Sequence, residues 1–222
     1  AALSAICIKI GTNFANDYYD FLKGADTEDR LGPQRMTQAG QVTPQLMRNA
    51  FIIAFAAAFL LGIYLVYRAG WPIVFIGLSS ILFGILYTAT PFALAYLGIA
   101  DLFVLIYFGP IAVAGTYYVQ GLRFDVLAAT VGLAPGLISV ALLTVNNLRD
   151  IAQDRSAGKK TLVVRFGETY ARVQFQTSLA LAILLPTIAL VFISDRIWGW
   201  LYMLLLVPAF PLMRKVAAGM AG

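Results

Sequence analysis

The stretch NFANDYYDFLKGADTEDRLGPQRMTQAG, Asn13 to Gly40, decides how the rest of the chain is read. It follows directly on an apolar segment. It gathers Asn13, Asn16, Asp17, Asp20, Asp26, Glu28 and Asp29 in a protein that is only 12% charged. A second stretch, NNLRDIAQDRSAGKKTLVVRFG from Asn146 to Gly167, has the same build. Each has asparagine at a helix end, then spaced aspartates, then a basic loop.

The surrounding composition sets the class. Sixty per cent of the 222 residues are hydrophobic, and the mean hydropathy is +0.81. Soluble domains are nearer half apolar and about a quarter charged. The chain therefore reads as all-α, a polytopic transmembrane helical bundle in a lipid bilayer. The net charge of +5 is explained by basic loops on one side of a membrane and implies no nucleic-acid partner. The single cysteine, Cys7, excludes an internal disulfide. The absence of histidine excludes His-ligated zinc and a histidine base.

Seven apolar segments follow from the hydropathy, at about 1–22, 45–67, 72–89, 101–119, 125–153, 168–193 and 196–213. A bilayer core of roughly 30 Å needs about 20 helical residues. Thr43 before Pro44, and Asp125, are the predicted caps of the second and fifth segments. Pro135-Gly136 predicts a kink in the fifth. Pro91 sets a stop for the third. With these seven spans, 12 of the 16 Lys and Arg fall on one side and 3 on the other, with Lys9 inside the first segment. That asymmetry predicts that both acidic stretches lie on the cytoplasmic side. Trp71, Trp198 and Trp200 read as interfacial belt residues. One domain over residues 1–222 is the simplest organisation. The chain opens at Ala1 inside one apolar segment and closes at Gly222 just after another, so further helices are expected beyond both ends.

On a helix, residues three and four apart share a face. Lys9, Asn13, Asp17 and Asp20 form a polar stripe down the first segment. Asn146 or Asn147, Asp150 and Asp154 form another at the end of the fifth. One acidic pair at a helix end is ordinarily a solvated cap. Two matched pairs, each followed by a basic loop, point to a site, because ionisable residues at the membrane edge are costly and usually functional. Four clustered aspartates repel unless cations relieve them. Mg2+ favours one or two carboxylates with water and substrate phosphates completing its octahedron. The pairs Asp17/Asp20 and Asp150/Asp154 are therefore the expected metal ligands, with a diphosphate between them. Arg35, Arg149, Lys159, Lys160 and Arg165 are placed to neutralise its oxygens.

At these residues the chain resembles the intramembrane aromatic prenyltransferase superfamily. Its first motif, Asn-Asp-x-x-Asp, is met by Asn16-Asp17-Tyr18-Tyr19-Asp20, and its second, Asp-x-x-x-Asp, by Asp150 to Asp154. A third block, LAYLGIADLFVLIYFGPIAVAGTYY from Leu94 to Tyr118, is also similar, and the resemblance covers most of the chain. It is strongest to the branch that prenylates 1,4-dihydroxy-2-naphthoate in bacterial menaquinone synthesis. Many members carry a third aspartate where this chain has Gly24, and the next acid is Asp26. That branch tends to have Lys-Gly here, so the departure favours it and leaves open whether Asp26 substitutes.

The resemblance implies nine transmembrane helices in the full protein, with these seven as the second to eighth. It implies a polyprenyl diphosphate donor, an aromatic acceptor, loss of diphosphate and CO2, and demethylmenaquinone as product. Expected roles are metal binding for Asp17, Asp20, Asp150 and Asp154, and assistance from Asn13, Asn16, Asn146 and Asn147. Arg35, Lys159 and Lys160 are expected to touch diphosphate. Tyr87 is expected to face the allylic cation, with an interfacial tyrosine as the ordinary alternative. Asp101 is expected to bind acceptor or cap its helix. Another acceptor of the 4-hydroxybenzoate type, a phytyl donor, an ion-coupled transporter and a passive membrane partner are the competing readings. A transporter would carry its carboxylates at mid-membrane, whereas here the acids crowd one end.

Overall fold

The computed structural model describes residues 1–24, 35–87 and 93–219. Among these there is no strand. Each of the seven apolar segments is helical over most of its described residues. They are α1 (Ala2–Leu22), α2 (Pro44–Ala69), α3 (Trp71–Leu86), the short α4 (Leu94–Leu97), α5 (Ala100–Phe108) with α6 (Pro110–Gly121), and α7 (Val126–Val131) with α8 (Leu133–Arg149). The short α9 (Ile151–Ser156), α10 (Leu162–Ile188) and α11 (Leu206–Ala217) complete them, with a π turn at Ala189–Ile193 and a 3-10 stretch at Ile197–Leu205. Among the described residues, five runs are long and apolar enough to cross a membrane: Pro44–Ala69, Ala100–Gly121, Val126–Arg149, Leu162–Ile193 and Ile197–Ala217. Trp71–Leu86 is apolar but shorter, and α1 carries Lys9, Asp17 and Asp20. Large apolar side chains such as Ile53, Leu60, Phe75 and Leu142 point outward, all more than half exposed. Outward leucine and isoleucine in this density require lipid as the solvent. The protein is an integral membrane protein.

Local chemistry sets the helix ends. Thr43 Oγ1 accepts from Leu46 N–H at 3.3 Å with Pro44 in the first turn. Asp125 Oδ1 accepts from the N–H groups of Leu127 and Ala128 at 2.8 and 3.2 Å, and these bonds hold its carboxyl below the ordinary range. The helix of the fifth segment is interrupted at Gly132, three residues before Pro135, although Gly132 keeps right-handed helical angles. Pro135 has no N–H for the carbonyl four residues back and crowds it; that residue is Val131, where α7 ends. The same segment stops at Arg149 rather than about 153, with Asp150 capping it and α9 restarting at Ile151. The sixth begins at Leu162 rather than 168, because Gly167, at φ 83°, joins a leading turn to the main helix. The fourth is broken at Gly109-Pro110, which hydropathy does not indicate. The expected stop before Pro91 lies outside the described residues.

The chain packs as two compact units, Ala1–Ala100 with Ala152–Thr161, and Asp101–Ile151 with Leu162–Gly222. In the first, Ala15, Phe51 and Phe55 form a buried cluster, with Tyr18, Tyr19, Ile81 and Ile85 against it. Gly11 lies so close to the Phe55 ring that a Cβ would sit 2.9 Å from it. In the second, Ala141, Leu148, Val163, Ala171, Phe175 and Val216 cluster, and the breaks at Gly109 and Gly132 lie against each other. A Cβ on Gly132 would fall 3.0 Å from Pro110 Cα. In lipid, association of helices relies on such close approach rather than on the hydrophobic effect.

Candidate active site

The first unit carries an acidic cluster at the end of α1. Asp17 and Asp20 are buried at 5% and 2% exposure, three residues apart on one face. Both oxygens of Asp17 are engaged by main chain. Oδ2 accepts from Met36 N–H at 3.1 Å and Oδ1 from Thr37 N–H at 3.3 Å. Asp20 Oδ2 faces cations: Lys159 Nζ is 3.6 Å away and Arg35 Nη2 3.9 Å. Asn16 completes this edge. With its amide oriented to satisfy both neighbours, its nitrogen donates to Asp20 Oδ2 at 3.2 Å and its oxygen accepts from Arg35 at 3.0 Å. Asp20 Oδ1 is buried and makes no hydrogen bond among the described residues.

Asp154, on α9, joins the same cluster. It is 7% exposed, and its Oδ1 is 3.5 Å from Lys159 Nζ. One ammonium therefore spans a carboxylate of each sequence motif. The turn Ala157–Thr161 delivers it, through Gly158 at φ 72° and a bond from Lys159 N–H to the Asp154 carbonyl at 2.9 Å. Tyr96 of α4 underlies the group. The Lys23 ammonium is 4.6 Å and the Lys159 ammonium 5.7 Å from its ring centroid, and Lys160 N–H donates to its carbonyl at 3.2 Å. Burial pulls the Lys23 ammonium below its ordinary pKa; Asp20 opposes that fall and Lys159 adds to it.

Other residues expected at the site stand differently. Asp150 belongs to the second unit, where it takes a bidentate contact from Arg149, 2.7 Å to Oδ1 and 2.9 Å to Oδ2. Asn13 and Asn146 are exposed, Asn147 is half-buried and the Lys160 side chain is exposed. Tyr87 closes α3, donating its N–H to Phe83 at 2.9 Å. Asp101, in the first turn of α5, is 8% exposed and accepts from Gln174 Nε2 of α10 at 2.8 Å. Gln174 Oε1 is buried without a hydrogen bond among the described residues. Asp26, Glu28 and Asp29 lie outside the described residues.

Spacing and charge in the sequence do not single out Tyr96, Lys23 or Gln174. Tyr96 and Lys23 leave a trace there, Tyr96 within the block Leu94 to Tyr118 and Lys23 in the Lys-Gly pair at 23–24.

Among the described residues, no three acidic side chains converge into a ready-made metal cage. The donor set nevertheless suits a hard divalent cation that takes one or two carboxylates and leaves its other positions to water and phosphate. Asp20 and Asp154 are hard oxygen donors that already share a positive charge, and Asp20 keeps an unused buried oxygen. Three carboxylates, Asp17, Asp20 and Asp154, stand among three cations, Lys23, Arg35 and Lys159. An anionic ligand is needed before a further +2 charge is balanced.

The model of the UbiA prenyltransferase family matches residues 1–218. The chain belongs to that family. UbiA-family membership makes it a prenyltransferase. Among its relatives are proteins named 1,4-dihydroxy-2-naphthoate octaprenyltransferase. That of Escherichia coli (strain K12) is 37% identical over 98% of this chain and 71% of its own length. Those of Haemophilus influenzae and Mycobacterium tuberculosis are each 38% identical, over 82% and 80% of this chain. The chain spans 61% of the length of each of these two.

Proposed function

We propose that this UbiA-family chain joins a polyprenyl group from its diphosphate to 1,4-dihydroxy-2-naphthoate, with loss of diphosphate and CO2, giving the quinol form of demethylmenaquinone with no change of oxidation level. The observation that carries the reading is the shared ammonium between Asp20 and Asp154, which brings one carboxylate of each aspartate motif into one buried cluster. The names of the relatives support the naphthoate acceptor. The 12 to 3 split of basic residues supports a site at the cytoplasmic face of a bacterial inner membrane.

Asp20 and Asp154, with Asp17 and Asp150, would hold Mg2+, which when bound stabilises the negative charge on the departing diphosphate. Lys159, Lys160 and Arg35 bind phosphate oxygens, arginine bidentately, and Asn16 orients Arg35. The allylic C–O bond breaks and its electron pair leaves with diphosphate. Apolar packing keeps water from the resulting carbocation, and the Tyr87 ring face stabilises it. The electron-rich naphthoate ring forms the new C–C bond, and its carboxylate carbon departs as CO2.

The test is a mass-spectrometric product assay on membranes containing the protein, given a polyprenyl diphosphate and either acceptor, with and without Mg2+. Prenylated, decarboxylated product is expected only with naphthoate and metal. Product from 4-hydroxybenzoate instead, or turnover indifferent to metal, would overturn the proposal. Ion flux in proteoliposomes lacking any prenyl donor would favour the transporter.

Asp101 is assigned to the acceptor, because a buried carboxylate beside an unsatisfied amide oxygen invites a hydroxyl donor. Asp101→Asn is expected to raise the KM for naphthoate roughly tenfold, the scale of one lost polar contact, while the donor KM stays put. Steady-state kinetics that move the donor KM instead would remove the assignment.

A further inference from the structure

We infer that Lys159 is the resident counter-ion of the acidic cluster: it holds Asp20 and Asp154 together before metal arrives and yields them to a divalent cation, with Tyr96 positioning its ammonium. The inference rests on the metal reading above.

Lys159 Nζ stands 3.6 Å from Asp20 Oδ2 and 3.5 Å from Asp154 Oδ1. A tight ammonium–carboxylate hydrogen bond is about 2.7–2.9 Å. The ammonium is thus shared between two partners at ion-pair range and committed to neither. It neutralises like charges that would otherwise repel across a buried site. The Asp20 Oδ1 left unbonded among the described residues shows that the single charge does not exhaust the site. The Tyr96 ring lies against the same ammonium, and its carbonyl is tied to Lys160 N–H. Ring and lysine turn are therefore one piece. Cation–π attraction holds a charge without cancelling it, which keeps the ammonium close yet replaceable. A cation of twice the charge between the carboxylates wins their attraction and repels the ammonium. Lys159, a hydrated point charge on a flexible stem, is then delivered to phosphate oxygens. Metal and ammonium compete, and by linkage each weakens the other's hold.

The test titrates the detergent-purified chain with Mn2+, without any diphosphate, following free Mn2+ by electron paramagnetic resonance. Lys159→Met should bind Mn2+ roughly tenfold more tightly than wild type, within the usual range of site–site coupling. Tyr96→Leu should shift the same way by less, and Tyr96→Phe should match wild type. Unchanged or weaker binding by Lys159→Met overturns the inference and leaves Lys159 a diphosphate contact only. A wild type that binds no Mn2+ in the absence of diphosphate overturns the inference, and one that binds none with inorganic diphosphate present either overturns the metal reading as well. A second measurement needs no variant. Reductive methylation of the wild type, read by peptide mass spectrometry, should label Lys159 faster with Mn2+ than without; an equal or slower rate also overturns the inference.

Discussion

Asp20→Asn and Asp154→Asn should each cut prenyl transfer by at least about a hundredfold, the loss expected when a preorganised electrostatic contact to developing charge is removed. The substitutions are nearly isosteric, so membrane insertion should be unaffected. Asp20 has the larger expected effect. It is the most buried acid of the cluster, and Arg35, Lys159 and Asn16 all converge on its Oδ2. Neutralising it leaves two cations facing an amide. Asp17→Ala and Asp150→Ala should also abolish turnover, though for Asp17 part of the loss would come from releasing Met36 and Thr37. Product formation per unit of inserted protein, quantified by immunoblot, checks the set. Wild-type rates in Asp20→Asn would show that these carboxylates do not serve the chemistry.

Gly136→Val should be among the most damaging single changes to the fold. A Cβ there collides with the Leu105 carbonyl oxygen and stands 3.0 Å from Gly109 Cα. Backbone rather than a flexible side chain would have to move, so the cost should reach or exceed the roughly 1–3 kcal/mol typical of overpacking. Gly62 and Gly77 are the internal controls. Both are helical, with nothing within 4 Å of the point a Cβ would occupy, so alanine there should be neutral or add up to about 1 kcal/mol of helix propensity. Thermal unfolding in detergent, read by monodispersity, separates the two cases. A Gly136→Val midpoint equal to that of Gly62→Ala would mean that the close crossing contributes nothing.

How far the sequence reaches depends on the range of the interaction. The caps at Thr43 and Asp125 are legible because each is closed within three residues. The helical runs are legible because lipid imposes one solvent along their whole length. The interruption expected at Pro135 lies at Gly132, since proline disrupts the turn before it. The break at Gly109 is invisible to hydropathy, which ignores backbone approach. Within the site, spacing on α1 correctly sets Asp17 and Asp20 on one face. It does not show that Asp17 is taken up by main-chain amides, or that Asn13 and Asn146 face outward. Tyr96 and Gln174 escape a reading of the sequence because their partners, Lys159 and Asp101, are more than sixty residues away in the chain, where no local pattern records them.

The clasp of Asp17 on Met36 and Thr37 has a further use. Amides bonded to a buried carboxylate should take up deuterium slowly, and these two report on a single side chain. If a ligand draws Asp17 away, both protons become exchangeable together; if it leaves Asp17 in place, both stay slow. Deuterium uptake at this pair is thus a readout of site occupancy that requires no label, no variant and no turnover.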